Sequence, residues 1–112
     1  MKRGEVWTAA GGEAYAGQPR PVLILQDDRF NETDSVTSCP FTSDPTTASF
    51  RVPVEVTPAN GLRTRSFAMT DKISSLPTAR LRDRIGRLDN ADMVKINRAV
   101  FIFLGLAGGD RR

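Results

Sequence analysis

Hydrophobic positions along most of the chain fall into short runs separated by turn residues, a pattern typical of a β-rich domain. Residues 5–9 predict a first strand, and the unbroken apolar run at residues 21–26 predicts a central strand that is buried on both faces. Residues 50–56 alternate between apolar and polar side chains, so they predict a half-buried strand. Further elements are predicted as strands at residues 35–41, 66–73 and 84–88, and as one helical turn at residues 76–81.

The C-terminal part of the chain changes to a helical pattern. Asp89 is a suitable N-cap, and apolar residues follow it at helical spacing. We expect a helix over residues 89–107 that the pair Gly108-Gly109 ends, so that residues 1–107 form one domain and residues 108–112 a tail. Short strands followed by one long helix predict a mainly β, α+β fold, in which a small barrel or bent sheet of about five to seven strands carries a C-terminal helix.

Composition narrows the chemistry that such a domain can perform. The 112 residues include no histidine, which excludes Ser-His-Asp and Cys-His catalysis within this chain. The single cysteine, Cys39, excludes an internal disulfide framework and a metal site built from several cysteines. The longest apolar stretch, residues 99–107, is too short to span a bilayer, and no apolar run follows the basic pair at residues 2–3. We therefore expect a cytoplasmic protein that does not enter a membrane.

Charge is distributed unevenly along the chain. Residues 26–34 contain four acids and one base, whereas residues 63–87 contain seven bases and two acids, Asp71 and Asp83. The formal net charge is +3, and the isoelectric point of the sequence is about 9.6. One surface is therefore expected to be positive, which favours an anionic partner.

Three segments of the chain stand out when they are taken together. They are KRGEVW at residues 2–7, RPVLILQDD at residues 20–28 and RLRDRIGRLD at residues 80–89. In this order the segments resemble the MazF/PemK family of bacterial toxin endoribonucleases, and the resemblance extends over residues 1–106. It implies a small SH3-like β-barrel with a C-terminal helix, and a homodimer that cleaves single-stranded RNA without a metal ion or another cofactor. It also implies a cognate antitoxin, whose short acidic segment silences the toxin.

The resemblance implies three catalytic residues, Arg20, Thr42 and Asp71. Pro21 restricts Arg20 to extended conformations, and a guanidinium fixed at a strand end can clamp two oxygens of a phosphate. The hydroxyl of Thr42 can donate to a phosphate oxygen, and a carboxylate of Asp71 beside Arg20 can orient the guanidinium or accept the 2′-OH proton. Plainer interpretations stay open: a solvated arginine at a strand edge, an ordinary strand threonine, and an ion pair between Asp71 and Lys72.

Two departures from the family leave the assignment of the acid and the base open. Some members carry an arginine where this chain has Met69, and some use a histidine in the first loop, where this chain has none. Pro40 also allows the register of the third strand to slip by one residue. In that case the catalytic hydroxyl comes from a neighbour of Thr42, and the candidates are Thr37, Ser38 and Ser43.

RNA-binding residues are expected in the first loop and in the basic part of the chain. Tyr15 can stack on a base and Gln18 lies in the same loop, although residues 10–18 also suit a plain hairpin connection. The candidate phosphate contacts are Lys72, Arg63 and Arg65.

The reaction that we expect is the attack of a ribose 2′-OH on the adjacent phosphate, which leaves a 2′,3′-cyclic phosphate and a 5′-OH. Two other classes of function stay open. One is a CcdB-like toxin that binds DNA gyrase and cleaves nothing, and retained toxicity of an Arg20→Ala variant would favour it. The other is a passive SH3-like nucleic-acid-binding module, which would bind without cleaving and would not arrest growth.

Overall fold

The computed structural model describes residues 1–10, 18–106 and 108 of the chain. This described part contains one sheet of seven strands, followed by one α-helix, α1, at Asn90–Phe103. The strands, in chain order, are β1 Glu5–Ala9, β2 Arg20–Ile24, β3 Ser35–Thr42, β4 Arg51–Val54, β5 Ser66–Met69, β6 Ser74–Pro77 and β7 Leu81–Arg87. The mainly β fold with a C-terminal helix that the sequence predicts is confirmed.

All strand pairings in the sheet are antiparallel, and the strand order is β4-β5-β3-β2-β1-β7. Strand β3 is long enough to pair with two strands on one side: with β6 along its first half, and with β5 through its last two residues, Phe41 and Thr42. The outer strands β4 and β7 do not pair with each other in the described part of the chain. The sheet is therefore open, in agreement with the bent sheet that the sequence allows, and it is not strictly the barrel that the resemblance implies.

A turn, and not another strand, covers the outer edge of β7. This turn connects β4 to β5, and the carbonyl of Ala59 accepts a hydrogen bond of 2.9 Å from the N–H of Arg87. A β-carbon added at Gly86 would lie 2.3 Å from the backbone carbon of Asn60, so the two backbones are in direct contact. Because the turn occupies the edge of β7, strand β4 cannot pair there, and the sheet stays open.

The core is formed by the inward-facing residues of the strands and by one residue of the helix. Val6, Leu23, Phe41 and Val54 are each at most 2% exposed, and Ile96 of α1 is completely buried among them. Residues 22–25 are all buried, which confirms the prediction of a central strand covered on both faces. Burial of this apolar surface is the main force that holds the helix against the sheet.

Helix α1 begins where the sequence predicts and ends earlier. The side chain of Asp89 caps the first turn by accepting a hydrogen bond of 2.8 Å from a backbone N–H. The helix ends at Phe103 and not at residue 107, because Gly105 has a φ of 76° and the N–H that follows it bonds to the carbonyl of Phe101. Neither α1 nor any other helix in the described ranges is long and apolar enough to cross a bilayer.

Two predicted elements near the middle of the chain differ from the structure. The strand predicted at residues 66–73 ends at Met69, where the chain enters the 3₁₀ turn Thr70–Lys72. The helical turn predicted at residues 76–81 is divided between β6 and the 3₁₀ turn Thr78–Arg80. Tertiary pairing decides the second case, since β3 offers β6 a strand partner that local sequence does not reveal.

Candidate functional site

A cleft of about 610 Å³ opens where several strand ends meet, and its volume is typical of a ligand-binding site. Segments that are distant in the sequence line it: the end of β1, the start of β2, the end of β3, the turn between β4 and β5, and the middle of β7. The lining residues are Thr8, Gln18, Pro19, Arg20, Pro21, Phe41, Thr42, Ser43, Gly61, Leu62, Arg63, Thr64, Ser66, Asp83 and Ile85.

Arg20 and Thr42 stand at neighbouring strand ends in this cleft. Arg20 is the first residue of β2, where it pairs with Ala9 of β1. The register between β2 and β3 pairs Val22 with Pro40, so Arg20 and Thr42 each lie two residues beyond this last pair, at the adjoining ends of the two strands. Both residues line the same cleft. A guanidinium and a hydroxyl are therefore placed to contact the same small anion.

Two threonine hydroxyls of the cleft act as acceptors within the protein. The oxygen of Thr42 accepts a hydrogen bond of 3.2 Å from the N–H of Asp44. In the same way, the oxygen of Thr8 accepts one of 3.1 Å from the N–H of Asp83. Neither bond uses the hydroxyl hydrogen, so both groups can still donate to a ligand. Thr42 is 9% exposed, which means that packing holds its side chain in place.

The turn between β4 and β5 places Arg63 at the rim of the cleft. Its anchor is the buried Asn60, whose side-chain oxygen accepts a hydrogen bond of 3.0 Å from the N–H of Leu62. The next residue, Gly61, has a φ of 73°, and a β-carbon there would lie 2.1 Å from the carbonyl oxygen of Ile85. Only glycine fits this backbone so close to β7. The contact fixes the position from which Arg63 emerges.

The structure brings some of the predicted site residues together and separates others. Those that line the cleft are Gln18, Arg20, Thr42 and Arg63, and the alternative hydroxyl of Ser43 lies beside them. Tyr15 lies outside the described residues. The other alternative hydroxyls, Thr37 and Ser38, lie on the half of β3 that pairs with β6.

Arg65 and Lys72 are exposed, but neither lines the cleft. Arg65 directly precedes β5 and is held by two contacts: its Nε lies 2.6 Å from the carboxylate of Glu55, and its guanidinium carbon lies 5.0 Å from the ring centre of Phe67. Lys72 is the last residue of the 3₁₀ turn that follows β5. Both side chains are therefore separated from the phosphate site that Arg20 and Thr42 would form.

Asp71 lies on the same 3₁₀ turn, away from the cleft. Its two carboxylate oxygens accept hydrogen bonds of 2.9 Å from Nε and Nη2 of Arg51. These hydrogen bonds hold the pKa of the Asp71 carboxyl below its usual value. The expectation that Asp71 lies beside Arg20 is corrected, because β5 separates them: Ser66, at the start of the strand, lines the cleft, and Asp71 lies beyond its end.

The cleft also contains residues that the sequence analysis did not select. Asp83 is the one carboxylate among the described lining residues, and Thr8, Thr64 and Ser66 add hydroxyl groups. The available signal was an acid within the arginine-rich residues 80–87, but spacing alone does not show which face of a strand a residue occupies. No group of three His, Cys, Asp or Glu side chains that could hold a metal ion occurs in the described ranges.

Not every ionisable group near the cleft is available for chemistry. Nε of Arg84 donates a hydrogen bond of 2.8 Å to the carboxylate of Glu5, which also accepts one of 3.0 Å from the indole of Trp7. Burial raises the pKa of Glu5, but hydrogen bonds from Trp7, Lys2 and Arg84 outweigh burial and leave that pKa below its usual value. Burial raises the pKa of the Cys39 thiol to about 12, so this thiol is not a nucleophile near neutral pH.

Comparison with known proteins identifies a family. Residues 2–104 match the family described as PemK-like, MazF-like toxin of type II toxin-antitoxin system. A probable endoribonuclease MazF of Mycolicibacterium smegmatis is 52% identical over 109 residues, which cover 96% of this chain and 100% of that protein. Endoribonuclease MazF9 of Mycobacterium tuberculosis is 31% identical over 118 residues, which cover 95% of this chain and 98% of that protein.

Solved structures share the fold. The Mycobacterium tuberculosis toxin MazF-mt6 has a TM-score of 0.78 at 25% identity, covering 91% of this chain and 97% of that chain. The structure of a mycobacterial endoribonuclease in complex with its cognate antitoxin has a TM-score of 0.79 at 29% identity. The match covers 95% of this chain and 96% of that chain. These matches do not favour a CcdB-like toxin or a passive binding module. They confirm the resemblance carried by the three sequence segments: the chain belongs to the PemK-like, MazF-like toxins of type II toxin–antitoxin systems.

Proposed function

We propose that this toxin is an endoribonuclease. It binds single-stranded RNA, including mRNA, in the cleft and cuts it at specific sequences. The observation that carries the proposal is the meeting of Arg20 and Thr42 at adjacent strand ends, with Arg63 on the rim of the same cleft. The relatives named endoribonuclease match nearly the whole chain, which supports the same activity here. RNA offers an anionic phosphate to the arginines and carries its own nucleophile.

The nucleophile is the 2′-OH of the substrate. Its oxygen forms a bond to the adjacent phosphorus while the bond from phosphorus to the 5′-oxygen breaks. One proton leaves the 2′-oxygen and one joins the 5′-oxygen, so the products are a 2′,3′-cyclic phosphate and a 5′-OH, and no water is consumed. Because the ribose already positions the nucleophile, the protein needs to supply orientation and charge stabilisation, and the reaction requires no metal ion.

Arg20 stabilises the negative charge that develops on the non-bridging oxygens of the phosphate. A guanidinium can form two parallel hydrogen bonds to such oxygens. Pro21 limits the backbone freedom of Arg20. Thr42 donates its hydroxyl hydrogen to a non-bridging oxygen, since its own oxygen is already oriented by the N–H of Asp44. Donors that are fixed before the reaction stabilise the transition state without reorganising.

Arg63 and Gln18 extend this site toward the neighbouring nucleotides, because both line the same cleft. Arg65 and Lys72 lie outside it, so they can reach only phosphates of an RNA strand that continues past the cut. Contacts of that kind are sequence-independent and weaken as the salt concentration rises. Sequence preference must therefore come from groups inside the cleft.

The experiment that tests this function is identification of the ends left on a defined RNA. The protein is incubated with a single-stranded oligoribonucleotide, and with a matched copy that carries one 2′-deoxy nucleotide at the cut position, each with and without EDTA. Mass spectrometry should find a 2′,3′-cyclic phosphate and a 5′-OH from the first substrate and no cut at the deoxy position. Cleavage of the deoxy substrate, or inhibition by EDTA, would rule out this mechanism.

The proposed inhibitor is a cognate antitoxin with a short acidic segment. A cleft with arginines suited to phosphates also attracts carboxylates, so an acidic chain that folds on binding would compete with RNA. The mycobacterial structure solved with its cognate antitoxin supports a partner of this type. We place the encounter in the cytoplasm, where mRNA is present and where the one free cysteine, buried in β3, stays reduced.

We further propose that the toxin is a homodimer that uses the C-terminal end of α1 and the residues that follow it. Ile102, Leu104 and Leu106 are 61%, 55% and 62% exposed, and an apolar surface of this kind favours association. In analytical ultracentrifugation the wild type should have twice the mass of the chain. Ile102→Glu should give the single mass, and the control Val56→Glu, which changes an exposed valine outside the helix, should not. A monomeric wild type would refute the dimer.

A further inference from the structure

We infer that Asp83 selects a base beside the cleaved phosphate by accepting hydrogen bonds from its amino or imino groups. The inference rests on the proposed endoribonuclease activity and specifies how the same cleft recognises sequence.

Strand β7 is irregular where it runs along β1. Trp7 pairs with Arg84, but Ala9, two residues further along β1, pairs with Leu81, three residues back along β7. One extra residue of β7 is therefore accommodated here, and the N–H of Asp83 bonds to a threonine side chain of β1 where a regular ladder would use a carbonyl. Such bulges redirect side chains and are enriched beside active sites. In this fold the bulge turns Asp83 toward the cleft.

Asp83 is an exposed residue, and among the described residues its carboxylate accepts no hydrogen bond and forms no ion pair, in contrast to that of Asp71. A carboxylate that faced a phosphate would weaken RNA binding by repulsion. Against the edge of a base, the same group gains hydrogen bonds from N–H donors. Its presence in a cleft for RNA therefore indicates contact with a base.

The position of Asp83 in the sheet agrees with this assignment. Arg20 lies level with Leu81 across β1, so the backbone of Asp83, two residues further along β7, is more than two interstrand spacings, or about 10 Å, from that of Arg20. Thr42 lies on β3, on the other side of β2. The phosphate is thus held between β2 and β3, and the base extends toward β7, where Ile85 adds an apolar surface next to Asp83. At this distance Asp83 is a specificity residue, and it does not accept the 2′-OH proton.

The four bases differ in the hydrogen-bond donors that they offer to a carboxylate, so Asp83 should bind them with different affinities. Guanine fits best, since its imino N–H and its amino group point the same way and match two carboxylate oxygens. Adenine and cytosine each offer one amino group, and uracil is least favoured because two carbonyls flank its single N–H. One position next to the cut should therefore show guanine most often and uracil least often.

The test is cleavage of an RNA pool with random bases around the cut, followed by sequencing of the products. Wild type, Asp83→Asn, Asp83→Ala and the control Asp34→Asn, an exposed aspartate outside the cleft, are compared. The wild type and the control should prefer guanine over uracil at one position. Asp83→Ala should reduce that preference about tenfold to a hundredfold. Asp83→Asn should in addition gain cleavage at uracil, because its amide can donate to a carbonyl.

The outcomes separate this inference from the proposed function. If the wild type cuts no RNA, the proposed function itself fails, and the inference with it. If the wild type cuts and both Asp83 variants keep its base preference, only the inference is wrong. If the variants lose cleavage equally for all sequences and their rates change in pH dependence, Asp83 transfers a proton and does not read a base, which also overturns the inference.

Discussion

The two aspartates of the basic part of the chain lie in contrasting regions of the molecule. At the β4–β5 edge, Asp71 is enclosed by Arg51, which donates two hydrogen bonds of 2.9 Å to its carboxylate. At the β1–β7 edge, Asp83 faces the cleft and accepts nothing from the described residues. The sequence presents both as acids among basic neighbours. Their difference teaches that the surroundings, and not the residue type, decide whether a charge stabilises the fold or remains for a ligand.

The same contrast applies to the arginines. Arg51 is committed to Asp71, and Arg84 to Glu5, so these side chains hold parts of the sheet together. Arg20 and Arg63 instead line the cleft. We therefore expect substitutions in the cleft to change activity and substitutions at the β4–β5 edge to change stability.

The largest expected effect is that of Arg20→Ala on RNA cleavage. Loss of one fixed donor to the phosphate should lower the single-turnover rate by about 10²–10³-fold. Arg29→Ala is the matched control, because Arg29 is an exposed arginine paired with Asp27 outside the cleft. An Arg20→Ala variant that cuts RNA at the wild-type rate would break the distinction between the two regions.

The next effect concerns the turn that presents Arg63. Gly61→Ala should lower the free energy of unfolding by about 2–4 kcal/mol, since it adds both left-handed strain and a clash with the Ile85 carbonyl. Gly105→Ala is the matched control: its φ of 76° is similar, but no atom lies within 4 Å of its added β-carbon, so it should cost only about 1–2 kcal/mol. Urea unfolding of both variants measures the difference, and equal losses would show that the contact with β7 is unimportant.

A smaller effect is expected at the β4–β5 edge. Asp71→Asn should reduce the free energy of unfolding by about 1–2 kcal/mol, because the ion pair with Arg51 is partly shielded from water. RNA cleavage should remain near the wild-type rate. Urea unfolding and a cleavage assay on the same preparation measure the two quantities. A large loss of activity without a loss of stability would return Asp71 to a catalytic role.

The stability difference at Asp71 should also depend on pH. Hydrogen bonds from Arg51 lower the pKa of this carboxyl in the folded state, so the ionised form is favoured there over the unfolded state. Stability from the pair is therefore complete above the unfolded pKa, about 4, and is lost as pH falls through the lower folded pKa. Urea unfolding at about pH 7 and about pH 3 should show the gap between wild type and Asp71→Asn closing in acid. A difference in the free energy of unfolding between the two proteins that grows in acid would contradict a stabilising ion pair between Asp71 and Arg51.

The smallest expected effect is that of Asp83→Asn on stability. Its carboxylate has no partner in the described chain, and the N–H that bonds to Thr8 is unaffected by the change. The free energy of unfolding should therefore change by less than about 0.5 kcal/mol. Urea unfolding beside Asp71→Asn gives the comparison directly, and a loss as large as that of Asp71→Asn would remove the contrast between the two edges.

Local patterns predicted a large part of the fold. The strand at residues 5–9 has the predicted bounds, and Asp89 caps the helix as expected, because alternation and capping act over a few residues. Arg20 and Thr42 were candidates through the family resemblance, and both line the cleft. The end of the helix was misplaced, since Gly105 closes it before the glycine pair that the sequence favoured.

By itself, then, the sequence determined the mainly β class, the buried central strand, the start of the helix and the family, since each depends on neighbouring residues or on short motifs. Only the tertiary structure decided that Arg51 forms an ion pair with Asp71. It also decided that a turn, and not a strand, covers the edge of β7, and that a bulge in β7 brings Asp83 into the cleft. These features depend on strand register and on contacts between residues far apart in the chain, such as Gly61 with Ile85. A shift of one residue in register moves a side chain to the opposite face, and local sequence does not encode that choice.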